Sequence, residues 1–387
     1  MRKVKYLLLI SLIFITFSCT KKVPKEVYFT FVNNVDVFSD VLLSDLIVDT
    51  NVELINDIKI DTTVIGNKNI EFDFKYNKRK YKKSFNINIK DKVKPFIYSG
   101  SSKTLLINND YDFCDELIIG DNYDSYPKCE IIGSYDYKKL GTYDIKIKVV
   151  DQSGNEAIRN MKVKVVDKIT PSSSTQTRVE FSDVINNHQS DNTTFGIDVS
   201  SWQKEVNYEK VKEAGATFVM IRLGYQGSVT KNLAIDSYYE DNIRKAKEAG
   251  LKVGVYLYTD ASSVKEAKEH ALWVIDVLGN KKLDLPVVFD WEDFPKFRKH
   301  RISLYELNEI ANTFIETINN SNYEGMLYSS KTYLENFWDN RNNYSVWLAH
   351  YTNKTDYDGD YVMWQMTSSG RIPGVSGPVD INILYNK

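Results

Sequence analysis

Two rhythms of apolar and polar residues divide this chain. From about residue 26 to 168, apolar and polar positions alternate in short runs such as NIEFDFKY, SFNINI and YDIKIKVV. A period of two sets one strand face in a core and the other in water, so this part predicts half-buried strands without helices. From residue 195 onward the rhythm changes. Apolar runs predict strands at FGIDVS (195–200), TFVMIRLGY (217–225), KVGVYLYT (252–259), PVVFDWE (286–292), EGMLYSS (324–330), SVWLAHY (345–351), YVMWQMT (361–367) and VDINILY (379–385). Between most of them lie segments with apolar residues three and four apart, such as DSYYEDNIRKAKEAG (236–250) and SLYELNEIANTFIETI (303–318), which predict helices. Ala-Gly pairs at 214–215 and 249–250 mark helix stops. Strands alternating with helices predict an α/β barrel over 195–387, irregular because its last three strands have little helix between them.

The alternating part contains a repeat. IGNKNIEFDFKYNKRKYKKSFNINIKDKVKP (65–95) resembles LGTYDIKIKVVDQSGNEAIRNMKVKVVDKITP (140–171): Gly, strand, polar turn, strand, Asp-Lys, Pro. Two copies of one small module are expected, at 26–92 and 93–168. The pattern resembles the immunoglobulin-like modules of bacterial surface proteins, which suit a spacer or a wall-contacting arm. Residues 169–194 are rich in Ser, Thr and Asn and predict a linker.

A total of 387 residues suits two or three domains, and a net charge of −2 argues against nucleic acid as a partner. The N-terminus, MRKVKYLLLISLIFITFSCTKK, has a basic start and an apolar run too short to span a bilayer comfortably. Residues 1–19 therefore predict an export signal. Its Ser-Cys ending resembles a lipoprotein cleavage site, which implies lipidation at Cys19 and attachment to the outer face of the cell membrane; simple secretion to the cell wall and an uncleaved anchor are the alternatives. Cys114 and Cys129 remain, as a disulfide candidate or as two unrelated buried thiols. The four histidines, 188, 270, 300 and 350, are scattered and no metal-ligand spacing occurs, so neither a metal nor a cofactor is expected. A monomer is expected.

Catalytic groups of a parallel barrel sit at the C-terminal ends of its strands. Asp198 closes the first strand, Asp290 and Glu292 close PVVFDWE, and Asp380 begins the last. Residues i and i+2 of a strand share a side, about 6.6 Å apart. Asp290 and Glu292 thus point into the barrel mouth and Trp291 away from it. Crowded carboxylates keep one acid protonated and another charged, which is the split that glycosidic-bond cleavage needs. Tyr225, Tyr256, Tyr258, Trp347, Tyr351 and Trp364, with Gln365, are candidates for lining a sugar groove. Blander readings stand beside these: acids there also cap helices or bind metal, and Tyr256 and Trp364 also suit a plain core.

FGIDVSSWQ, TFVMIRLGY, KVGVYLY, VVFDWE, SVWLAHY, MWQ and VDIN occur in order, and together they resemble glycoside hydrolase family 25, the bacterial and phage lysozymes. The resemblance implies a barrel of five strand–helix units followed by three strands. It implies cleavage of the β-1,4 bond between N-acetylmuramic acid and N-acetylglucosamine, with retention. It also implies Glu292 as general acid, Asp290 as nucleophile or helper of the substrate acetamido group, and Asp198 and Asp380 as supporting acids. Where the family often has Tyr-His, this chain has Tyr256-Leu257, a departure that bears on the shape of one pocket wall and not on the acids. The alternatives are a glycan-binding lipoprotein without turnover and a hydrolase of another N-acetylated glycan such as chitin.

Overall fold

The computed structural model describes residues 22–169, 178–339 and 344–386. Cys19 and the apolar export run lie outside the described residues. Among those residues no helix is long and apolar enough to cross a membrane. The chain forms two units, Met1–Lys92 and Val93–Lys387, each described by itself.

In the first unit, the predicted repeat is a hairpin of Gly66–Tyr76 and Arg79–Lys90. Ile70, Phe72, Phe74, Ile87 and Ile89 alternate into its core. Asn34–Asp36 adds to the hairpin's second strand in parallel and Glu53–Leu54 to its first antiparallel. The second copy repeats this order. Gly141–Val150 and Glu156–Val166 form its hairpin, flanked by Lys128–Ile132 (antiparallel) and Ser102–Leu106 (parallel). Gly154 takes φ +89° in the QSGN turn, a value that glycine tolerates. Each copy thus contains the same four-strand order, built from the same alternation.

The second module is no free arm: it belongs to the same unit as the barrel. The predicted linker is also partly corrected. Val179–Glu180 pairs with a barrel strand, and the helix Phe181–His188 buries Phe181 and Val184 in the barrel core. Four apolar residues, Val179, Phe181, Val184 and Ile185, are spaced for packing inside an otherwise polar stretch.

The barrel strands are β1 (Thr193–Val199), β2 (Phe218–Gln226), β3 (Lys252–Thr259), β4 (Val287–Trp291), β5 (Gly325–Ser330), β6 (Ser345–Ala349), β7 (Met363–Arg371) and β8 (Val379–Tyr385). The first seven run parallel from β1 to β7, and β8 closes the ring antiparallel between β7 and β1. The helices are α1 (Tyr208–Glu213), α2 (Tyr239–Glu248), α3 (Val264–Leu278), α4 (Phe297–His300), α5 (Leu304–Asn319) and α6 (Lys331–Asn336). They give five strand–helix units followed by three strands. Gly215 and Gly250 lie just past α1 and α2 with positive φ, as the Ala-Gly pairs predict.

Strand alternation sorts the side chains. Outward residues such as Phe289, Trp291, Leu257 and Leu348 pack against the helices, while Phe218, Met220, Val288, Met326, Trp347 and Met363 fill the interior. Two residues further along β2, β4, β5 and β7, the same inward column turns polar, with Arg222, Asp290, Tyr328 and Gln365. The interior is therefore plugged below and open above. A cleft forms where the polar ends of the columns meet.

Candidate active site

A cleft of about 750 Å³ opens at the C-terminal ends of the parallel strands. Asp198, Asp290, Glu292 and Asp380 all line it. Asp198 and Asp380 face each other in register across β1 and β8. The reversed direction of β8 explains why its first residues, and not its last, reach the cleft.

The acids are not equivalent. Asp198 Oδ2 accepts two amide hydrogen bonds, from Gln365 Nε2 (2.9 Å) and Asn382 Nδ2 (2.8 Å). The hydroxyls of Tyr328 (2.8 Å) and Tyr351 (3.0 Å) donate to Gln365 Oε1, which turns the other end of that amide toward Asp198. Trp347 Nε1 does the same for Asn382 through Oδ1 (2.8 Å). Burial raises Asp198 to about 6, and the two amides hold it from rising further. Asp380 is raised to about 8, by burial first and then by the charge of Asp198. At neutral pH, Asp198 is thus ionised and Asp380 mostly protonated.

Asp290 is buried, and among the described residues its Oδ1 has no hydrogen-bond partner. Burial, then the negative charges of Glu292 and Asp198, lift it well above the carboxylate range, with Arg222 as the opposing charge. Glu292 follows the end of β4 and keeps an exposed surface at the cleft mouth. Surrounding protein and Asp198 push it upward as well. Trp291, between them, points away: its Nε1 donates to Ala261 O (3.0 Å) and its ring packs on Phe294 and Phe297.

The predicted Tyr225, Tyr256, Tyr258, Trp347, Tyr351 and Gln365 also line the cleft. Tyr258 is pushed up to about 12, mainly by burial, and stays a neutral donor. Trp364 does not reach the cleft. It follows Met363 and precedes Gln365, both inward, so alternation turns it outward, where its Nε1 donates to His350 O (2.8 Å) and its ring meets His188. Leu257, at the departure from the Tyr-His pattern, likewise faces the outer core and shapes no wall.

Several groups escape a search for acids and aromatic residues. Arg222 donates through Nε to Asp236 (2.8 Å) and through a terminal nitrogen to Ser201 Oγ (2.9 Å), which fixes its cation beside the acids. Its signal is a lone charge inside the apolar run MIRLGY. Trp202 lines the rim with 82% of its surface exposed, an unusual position for so large an apolar ring. Asn382 and Tyr328 act through hydrogen bonds that no spacing reveals. Beside the cleft, Asp260, Asp293 and His300 bring ligand atoms within 4.8 Å of one another. Lys231 already pairs with Asp260, and Lys296 and His300 with Asp293, so their charges are met without a cation. Cys114 and Cys129 form a disulfide.

The comparisons with known proteins fall on this same region. The family model for Glycosyl hydrolases family 25 matches residues 197–375, which include Asp198, Asp290 and Glu292 and stop just short of Asp380. The chain is similar to the uncharacterized protein YegX of Escherichia coli (strain K12), at 27% identity over 196 residues, 50% of this chain and 70% of that one. It is similar to the autolytic lysozyme of Clostridium acetobutylicum at 30% identity over 193 residues, 48% of this chain. It spans about half of that lysozyme's length, 54%. Among solved structures, a family 25 glycosyl hydrolase from Bacillus anthracis aligns with a TM-score of 0.45 at 19% identity, over 56% of this chain and 96% of that one. Residues 197–375, just under half of the chain, thus match glycosyl hydrolases family 25, and the chain is a glycoside hydrolase.

Proposed function

We propose that this chain is a muramidase that cuts the β-1,4 bond between N-acetylmuramic acid and N-acetylglucosamine in peptidoglycan. The observation that carries the reading is the inequality of the four acids in one cleft, three of them inside the stretch that matches the family. Glu292 is raised and open to the cleft, as a general acid must be. In its protonated form it gives its proton to the leaving glycosidic oxygen.

Asp290 suits a helper better than a nucleophile. Burial and the neighbouring negative charges raise its pKa, which disfavours the carboxylate form that a nucleophile needs. Its unpartnered Oδ1 is an acceptor waiting for a donor, and the acetamido N–H of the sugar supplies one. Held there, the acetamido oxygen attacks the anomeric carbon as the bond to the leaving oxygen breaks. The Glu292 carboxylate then takes a proton from water, which opens the cyclic intermediate with overall retention. Asp198 supplies negative charge beneath the developing sugar cation, and Asp380 supports it. Tyr225, Tyr258 and Tyr351 offer hydroxyls and flat faces to the sugar rings, above the buried Trp347.

The cell wall is the expected place of action. Export by residues 1–19, lipidation at Cys19, and two immunoglobulin-like modules belong to this proposal, as does a monomeric enzyme. The test is digestion of purified peptidoglycan by the full chain, followed by borohydride reduction and mass spectrometry. Reduced muramic acid ends are expected. Reduced glucosamine ends would show that the other bond is cut.

A further inference from the structure

The segment after the acid-bearing strand β4 has two supports. Glu292 is followed by the turn Phe294–Lys296, the four-residue helix α4 and then α5. On one side this segment rests on the barrel, where Phe294 stacks on Tyr333 (3.7 Å) and Phe297 meets Phe337 edge-on. On the other side it rests on the second β-module.

That second contact is closely built. Ile118 of the module joins the barrel core. Gly120 lies so near that a Cβ there would meet Phe297 and Leu304 at 3.1 Å. The first N–H groups of α5 lack partners within the helix, and the module supplies them: Leu304 donates to Asp121 O (2.8 Å) and Tyr305 to Asn122 O (3.3 Å). Arg298 is only 8% exposed. It donates to Cys114 O (3.2 Å), Asp115 Oδ1 (3.0 Å) and Pro127 O (3.4 Å), with the Tyr126 ring beneath its guanidinium at 4.0 Å. Arg301 stacks on the same ring at 4.3 Å.

Each of these module groups lies between residues 114 and 127, inside the loop that the Cys114–Cys129 disulfide closes. The bridge narrows the freedom of that loop and so holds the carbonyls of Cys114 and Pro127 at the spacing that the Arg298 fork needs. Arg298 stands six residues after Glu292 on the same segment.

We propose that the disulfide-closed loop of the second module is a bracket for the catalytic acid, with Arg298 as the positioning residue through which it holds Glu292 in the cleft. The inference rests on the assignment of Glu292 as the general acid. It makes the module part of the catalytic unit, and not a tether.

The experiment compares the full chain with Arg298→Ala, with Cys114→Ser/Cys129→Ser, and with Val163→Ala. Val163 is buried in the module core and makes none of the contacts to Arg298 and α5 named above, so its substitution lowers stability while leaving those contacts in place. Three readouts are taken well below the unfolding temperatures: kcat and KM on solubilised peptidoglycan, the pH profile, and amide hydrogen exchange in residues 292–303. For the two bracket variants, kcat falls tenfold or more with KM little changed. The basic limb moves to lower pH, because Glu292 leaves the crowding that raises it, and exchange in 292–303 speeds up. Val163→Ala leaves all three unchanged. Arg298→Lys, which keeps the charge and loses the fork, carries the same test if the alanine variant does not fold. Wild-type kcat and profile in the bracket variants would overturn the inference, as would equal effects from Val163→Ala. A wild-type chain without turnover would instead overturn the muramidase assignment on which the inference rests.

Discussion

Replacing Gln365 with Leu removes one of the two N–H donors to Asp198 while roughly keeping the side chain's volume. A hydrogen bond to a charged group contributes about 1.5–3 kcal/mol, and 1.36 kcal/mol corresponds to one pKa unit, so Asp198 should rise by about 1–2 units. It starts at about 6, which puts the variant at about 7–8 by the same conversion. Activity that requires Asp198 ionised is lost as pH falls through that value. The acidic limb of kcat/KM should therefore move from about 6 toward neutrality, and the loss should be recovered at higher pH. The assay is initial-rate clearing of a peptidoglycan suspension from pH 4 to 9, with folding checked by circular dichroism at each end. Tyr328 and Tyr351 lose their acceptor in the same variant, so some fall in the plateau is expected too. A lower plateau with an unmoved acidic limb would refute the assignment of Asp198 as the ionised group held by its amides.

Glu292→Gln should fold as the wild type does and lose turnover by about 10²–10⁴-fold, the usual range for a missing general acid, in the same clearing assay. Asp290→Asn should be similarly damaging; a sugar product released as the α anomer, read by NMR, would exclude retention and with it both roles considered for Asp290. Asp380→Asn tests a stability effect. Its folded pKa of about 8 lies above the ordinary 3.8, so the folded state binds the proton more tightly. That contribution is fully present below the unfolded pKa and lost as pH rises through the folded one. The Asn variant, which never ionises, should unfold at a higher temperature than wild type at pH 9 and at the same temperature near pH 4. Equal shifts at both pH values would sink the linkage argument.

Much of the barrel is legible in the sequence because its strands are long apolar runs and its helices have clear spacing. KVGVYLYT and VDINILY coincide with β3 and β8 to the residue. The acids are legible because a carboxylate that closes a buried apolar run stands out against its neighbours. Alternation decides the finer questions. It excludes Trp364 from the groove once Gln365 is placed there, since adjacent strand residues cannot both face one side. The helix Phe181–His188 is hidden because its apolar residues are diluted by Ser and Asn. Long-range pairings are out of reach. Arg222 with Asp236, Gln365 and Asn382 with Asp198, and Arg298 with the module loop join residues that no local pattern relates. The repeat is legible as sequence and reappears as a shared strand order, but the docking of its second copy depends on Gly120 and Ile118, two unremarkable residues in any linear reading.

The reversed eighth strand also bears on when the four-acid cleft is complete. A chain growing from its N-terminus presents Asp198, Asp290 and Glu292 long before residues 379–385 emerge. Until they do, the ring has a gap between β7 and β1, Asp198 lacks Asn382, and Asp380 is missing from the cleft. Fragments cut off before β8 are therefore expected to lack turnover. The strand that completes the wall of the barrel also delivers the final acid, so assembly and arming are a single event.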